Sequence, residues 1–242
     1  MKSRLLLAWI ALPWLVFGQG EPVPEAPDAP PDPVATRTAA GKHARVRQLP
    51  NGDTQVGTII LHRQEREISF PAEFLPGVNE LEVVIATPDG RLHESLLKAD
   101  ISPLQLQVLL YALGLNNGGR HATEAIPRGD LVDIDVVWSD AAGQRHREPL
   151  ESWILDGRTG QPMERLGWVF VGSGMKDGIF LAVEEGNICL NYSVGSTILD
   201  IPDEAGADDT IFKVNRGKPL PGPEAEVRVF LVPRPRVQEE RK

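Results

Sequence analysis

The chain has 242 residues but only one cysteine, Cys189, and only two tyrosines and three methionines. A single thiol excludes an intramolecular disulfide, a cysteine-rich zinc site and a four-cysteine iron–sulfur cluster, so no cofactor is expected. Long apolar runs are missing as well. The longest, Leu5–Phe17, covers 13 residues, where crossing a bilayer as a helix takes about 20. Basic residues are outnumbered, with 25 Lys and Arg against 34 Asp and Glu and a formal charge of −9. Such a chain repels phosphate backbones, which excludes nucleic acid as an expected partner and disfavours anionic membrane surfaces. The five histidines, His43, His62, His93, His121 and His146, are scattered without zinc-ligand spacing. No metal site is expected.

The sequence does carry clear organisation. "MKSR", the apolar run and the small residues Gly18 and Gly20 make a three-part export signal over residues 1–20, cleaved near those glycines. An uncleaved anchor is the alternative. Removing residues 1–20 takes away Lys2 and Arg4 and no acid, moving the net charge from −9 to −11. Residues 21–43 read as a disordered linker, because Glu21 to Pro33 hold six prolines and four acids with only Val23 to pack. Residues 44–234 read as one β-rich domain, and 235–242 as a charged tail. No stable membrane insertion is expected after signal cleavage, and the location is exported: periplasm, cell surface or medium.

Within the domain, Asn51-Gly52, Asp89-Gly90, Asp156-Gly157, Asp177-Gly178 and Glu185-Gly186 mark turns between short β-branched or aromatic runs. Strands are predicted at 56–62, 66–70, 81–87, 91–98, 131–138, 168–172, 179–183, 187–192 and 226–232. In "LVDIDVVW" (131–138), Val132, Ile134, Val136 and Trp138 share one face while Asp133 and Asp135 share the other. One helix is predicted. Ser102 caps it, Pro103 takes the first helical position, and Gly114 with "NNGG" ends it. Its residues are apolar all round, which predicts a helix buried at the centre of the core. The fold class is therefore mainly β (α+β), an antiparallel hairpin-rich single domain with one central buried helix at about 102–114.

The densest polar stretch is His93-Glu94-Ser95. Read as the returning arm of a hairpin, it alternates: Leu92, Glu94 and Leu96 face one way, His93, Ser95 and Leu97 the other. A local catalytic trio is excluded on that reading. Glu94 lies between two leucines and needs a donor, for which Arg120 and His121 in the loop after the helix are candidates. The structural expectation is a bond joining hairpin to loop; the functional one is a ligand site formed by His93, Glu94, Ser95, Arg120 and His121. Asp130, Asp133 and Asp135 read as a solvated face, and "DEAGADD" (203–209) as an acidic loop. "VGSGM" departs from the nucleophile elbow, and Trp138, Trp153 and Trp168 read as core.

Taken together, "ISFPAEF", "LEVVIATPDGRLHESLL", "SPLQLQVLLYALGL", "GWVFVGS", "GNICLNYSVGSTILDIP" and "EVRVFLVP" resemble the YdjY domain family, over about residues 55 to 233. The most specific piece is the coupling of "HES" to the capped apolar helix. The resemblance implies a single domain in an exported, bacterial setting. It carries no established catalytic residues. The ferredoxin-like label of some relatives implies electron transfer, from which this chain departs because Cys189 alone cannot hold a cluster. The expected function is an exported, non-catalytic binding or interaction module with an unknown protein or small-molecule partner. Two alternatives are an exported enzyme, with a pocket where His93 or Glu94 meets the 116–130 loop, and a cofactor-free accessory to an electron-transfer system.

Overall fold

The alternation in "LVDIDVVW" becomes the nine-residue strand Leu131–Ser139, whose apolar residues from Val132 onward are buried and whose aspartates are partly exposed. The computed structural model describes residues 45–118, 129–193, 195–222 and 225–234. The expected signal, linker and charged tail, and the candidate residues Arg120 and His121, lie outside the described residues.

The chain opens with a meander: β1 (Val46–Gln48), β2 (Thr54–Val56), β3 (Ile59–His62) and β4 (Glu67–Phe74). Then come β5 (Val83–Ala86), β6 (Ser95–Lys98) and helix α1 (Pro103–Ala112). Strand β7 is Leu131–Ser139, followed by β8 (Arg145–Pro149), β9 (Ile154–Asp156), β10 (Gln161–Pro162) and β11 (Trp168–Phe170). A hairpin, β12 (Met175–Lys176) and β13 (Ile179–Phe180), runs straight into the single turn α2 (Leu181–Glu184). Last are β14 (Asn187–Leu190), β15 (Leu199–Asp200), β16 (Phe212–Val214) and β17 (Val227–Pro233).

Eight of these strands close into a barrel in the order β4-β17-β7-β11-β15-β14-β5-β6, with β6 returning to β4. Closure removes the open edges that a flat sheet leaves exposed. Strands β1 to β3 extend outward from β4, β8 pairs with β7, and β10-β9-β16 form a separate three-stranded sheet. Side chains fill the interior: Ile68, Phe70, Val132, Ile134, Val229 and Leu231 are among those buried, with Trp153 and Trp168 fully so. The expectation that Trp138, Trp153 and Trp168 belong to the core holds. Among the described residues, no helix is long and apolar enough to cross a membrane.

Mainly β with one sizeable helix is thus the architecture, but two finer expectations need correction. The first is strand direction. Asn51-Gly52 and Asp177-Gly178 do join antiparallel strands; Asp89-Gly90 does not, because β5 and β6 lie parallel, with Val83 opposite Ser95. The chain crosses back between them through a 3-10 turn at Leu92–Glu94. Gly186, at φ +70°, passes so near this crossover that a Cβ would stand 2.5 Å from the Gly90 Cα. Two turn signals far apart in sequence therefore abut, and only glycine fits between them.

The second correction concerns α1. Ser102 caps it as expected, accepting a hydrogen bond from the Gln105 N–H at 3.4 Å, and Pro103 opens it. The helix is not buried all round. Leu106, Leu109 and Leu110 are inside, while Leu104, Val108 and Tyr111 are 42%, 57% and 44% exposed. Their spacing, four then three residues, is one face of a helix lying on the barrel instead of within it. The barrel's own side chains already fill its centre, so the helix can bury only one side.

Candidate functional site

His93 and Glu94 belong to the 3-10 turn, and Ser95 begins β6. A tight turn does not alternate faces, so the strict alternation expected across 92–97 fails: the His93 Nε2 lies 3.5 Å from the Glu94 Oε2. Ser95 is separated from both. It is buried, and its hydroxyl donates to the Arg91 carbonyl at 2.5 Å, closing the turn. Arg91 Nη1 donates a hydrogen bond to Glu82 at 2.7 Å and forms an ion pair with Glu94 at 2.6 Å. The sequence held the signal for this pair, since a 3-10 turn brings residues three apart together. Reading the stretch as a strand concealed it.

His93 and Glu94, but not Ser95, line a cleft of about 430 Å³ together with Asn79, Glu80, Glu82, Asp209 and Thr210. Four carboxylates face one histidine there, and the His93 side chain is 79% exposed. Asn79 also lines a second cleft, of about 640 Å³, whose charged residues are Lys213, Arg216 and Lys218. An isolated backbone bridge between Glu80 and Lys213 divides the two, and their side chains approach to 3.8 Å. Two clefts of opposite sign thus share a wall. The second was missed because its cations, in β16 and the turn after it ("KVNRGK"), face partners at 76–80 that are remote in sequence.

A third constellation joins residues from β3, β4 and the β1–β2 turn. His62 Nδ1 is 2.8 Å from Asp53 Oδ2, and His62 Nε2 is 2.8 Å from Ser69 Oγ. Burial works against the Asp53 carboxylate, but bonds from His62, Asn51 and the Arg63 N–H outweigh it and hold its pKa below the ordinary value. The order Asp–His–Ser has relay geometry, yet Ser69 is fully buried and also accepts from Arg228 Nη1 at 3.2 Å. A nucleophile needs a reachable carbonyl and a base at once. Ser69 has the base without the access. Glu65 lies close enough to make Asp53, His62 and Glu65 a possible cation trio. The Asp53 oxygens, however, already accept from Asn51, His62 and Arg63.

Other carboxylates are similarly accounted for. Asp133 accepts from Arg234 at 2.7 Å, and Asp135 from Arg165 at 2.8 Å and Arg147 at 3.0 Å. The expected solvated face is thus a ladder of ion pairs, and Arg147 also stacks 4.6 Å from the Phe230 ring centre. Glu148 accepts from the indoles of Trp138 at 3.0 Å and Trp153 at 2.9 Å, and pairs with Lys218. Glu151 is the most deeply buried carboxylate among the described residues. It is 1% exposed, takes one bond from Trp168 at 3.1 Å, and its Oε2 has no partner among the described residues. Burial pushes its pKa up to about 7. Cys189 is buried, and burial raises its thiol pKa well above the ordinary value, so it is not a ready nucleophile. Compared with protein-family models, curated proteins and solved structures, the chain finds no match in any of the three.

Proposed function

We propose that this chain is an exported, non-catalytic binding module that holds a small polar ligand across the two clefts meeting at Asn79. One observation carries the reading: carboxylates from 80–94 and 209 line one cleft, cations from 213–218 line the other, and both share a wall. Opposed charges at fixed spacing recognise a ligand bearing both signs, such as a peptide or an amino acid derivative. The arrangement suits recognition better than turnover. His93 is largely exposed beside Glu94, and Glu94 is engaged by Arg91. General acid–base catalysis requires a group held within reach of a reacting proton by fixed neighbours.

Export rests on the residues before the domain: the positive start, the apolar run Leu5–Phe17 and the small residues Gly18 and Gly20. The resemblance to the YdjY family belongs to the same proposal and supports the same setting. Native mass spectrometry of the purified chain equilibrated with a mixture of dipeptides tests the function. The expected result is retention of an intact dipeptide at one per chain, weakened by Glu82→Gln. Accumulation of a cleaved or modified product would replace this reading with an enzymatic one, and retention of nothing would overturn it.

A further inference from the structure

The larger cleft has an electrostatic character opposite to that of the whole molecule. Its lining contains Lys213, Arg216 and Lys218 and no carboxylate, in a chain with a formal charge of −9. The three cations are not equivalent. Lys218 is paired with Glu148 and bonded to Ser152 Oγ at 2.9 Å, so it adds a fixed donor and little net charge. Lys213 meets Glu80 only at 3.8 Å, and the Glu80 side chain is 70% exposed, a loose pair that water screens. Arg216 differs again. Its Nη2 donates to the carbonyls of Pro76 at 2.6 Å and Val78 at 2.5 Å. Carbonyl acceptors orient a guanidinium without cancelling its charge. Two of the five guanidinium N–H groups are thereby used, and among the described residues no carboxylate pairs with the rest.

The walls supply the complement. Leu155 and Pro162 add carbon surface to the lining, and a volume of about 640 Å³ falls within the range of small-molecule sites. The chain's overall negative charge does not prevent an anion from entering. Distant surface charges are screened beyond about 8 Å at physiological salt, so contact chemistry decides.

Resting on the binding-module reading, we infer that this cleft takes the anionic end of the ligand: a carboxylate or phosphate set against Arg216 and Lys213, with its carbon body on Leu155 and Pro162. The guanidinium recognises the oxygens by charge-assisted hydrogen bonds, and the apolar wall selects an organic anion over an inorganic one.

Four probes sharing one ring test this by isothermal titration and backbone amide shifts: benzoate, phenyl phosphate, neutral benzamide and cationic benzylamine. We expect saturable binding of benzoate or phenyl phosphate, with shifts at Arg216, Gly217 and Lys218; the tighter of the two identifies the head group. Arg216→Gln should weaken that binding about tenfold, equivalent to about 1.4 kcal/mol. Lys213→Gln should weaken it less, and Lys176→Gln, on the β12–β13 hairpin, should leave it unchanged. A melting curve shows whether Arg216→Gln keeps its fold; if it does not, Lys213→Gln carries the test. Anion binding that ignores both substitutions, benzamide binding equally well, or failure of both anions to bind would overturn the inference. Benzylamine bound without either anion would sink it while leaving the binding-module reading standing. Dipeptide retention judges that reading separately.

Discussion

Glu151 shows how much a single buried side chain can govern. Its carboxyl lies against Trp168 with one oxygen unpartnered, and burial raises its pKa from 4.5 to about 7. The folded chain therefore holds this proton more tightly than the unfolded chain does. The associated stability is fully present below about pH 4.5, is lost as pH rises toward 7, and stays lost above it. The loss amounts to roughly 3 kcal/mol, at about 1.4 kcal/mol per pH unit. Urea unfolding at pH 5 and pH 8 checks this: the wild-type chain should be less stable at pH 8, and Glu151→Gln, which resembles the protonated acid, should narrow the difference. An unchanged difference would mean that Glu151 ionises without penalty. At this scale the sequence was only partly legible. It flagged Glu94 as a carboxylate needing a partner, and Arg91, three residues away, forms an ion pair with it, while the expected donors Arg120 and His121 lie outside the described residues. It gave no hint of Glu151, whose burial depends on Trp168 and on the turn at Leu150–Trp153.

Among the elements, helix α1 gives the sharpest contrast between pattern and packing. Its boundaries were readable because Ser102, Pro103 and Gly114 act locally on the backbone. Its depth was not, because an all-apolar sequence offers no polar face to show which side meets solvent. Leu109 is 6% exposed and Val108 57% exposed, although they are neighbours in sequence. Leu109→Lys should cost about 4 kcal/mol or more and abolish cooperative melting, since the ammonium has no partner inside. Val108→Lys should stay within about 0.5 kcal/mol of wild type. Thermal melts of the two variants decide between one-sided and all-round burial. The β5–β6 crossover is the opposite case. Asp89-Gly90 has the composition of a hairpin turn, and nothing within it reports that Ser95 will lie beside Val83, running in the same direction. That outcome is fixed by long-range pairing of β6 with β4 and of β5 with β14.

For the molecule as a whole, closure of the barrel was hidden because it depends on registers between strands far apart in the chain. Those registers are uneven. From Ile68 to Ala72 of β4, and from Val132 to Trp138 of β7, every residue has a partner on β17. Across the barrel, β11 meets β7, β15 meets β11 and β14 meets β15 through two residue pairs each. The barrel accordingly has a stiff spine and a pliant flank. Amides of β17 and β7 should exchange with deuterium only when the whole chain unfolds, while those of β11 and β15 exchange earlier, through local opening. Uniform protection around the ring would contradict this. The segments bearing the opposed charges join the loosely paired flank to the spine: 79–94 runs from beyond β4 through β5, and 209–218 lies between β15 and β17. A captured molecule would therefore register first as slower deuterium uptake along that flank, so occupancy could be read from rigidity even where the coordinates of the two states coincide.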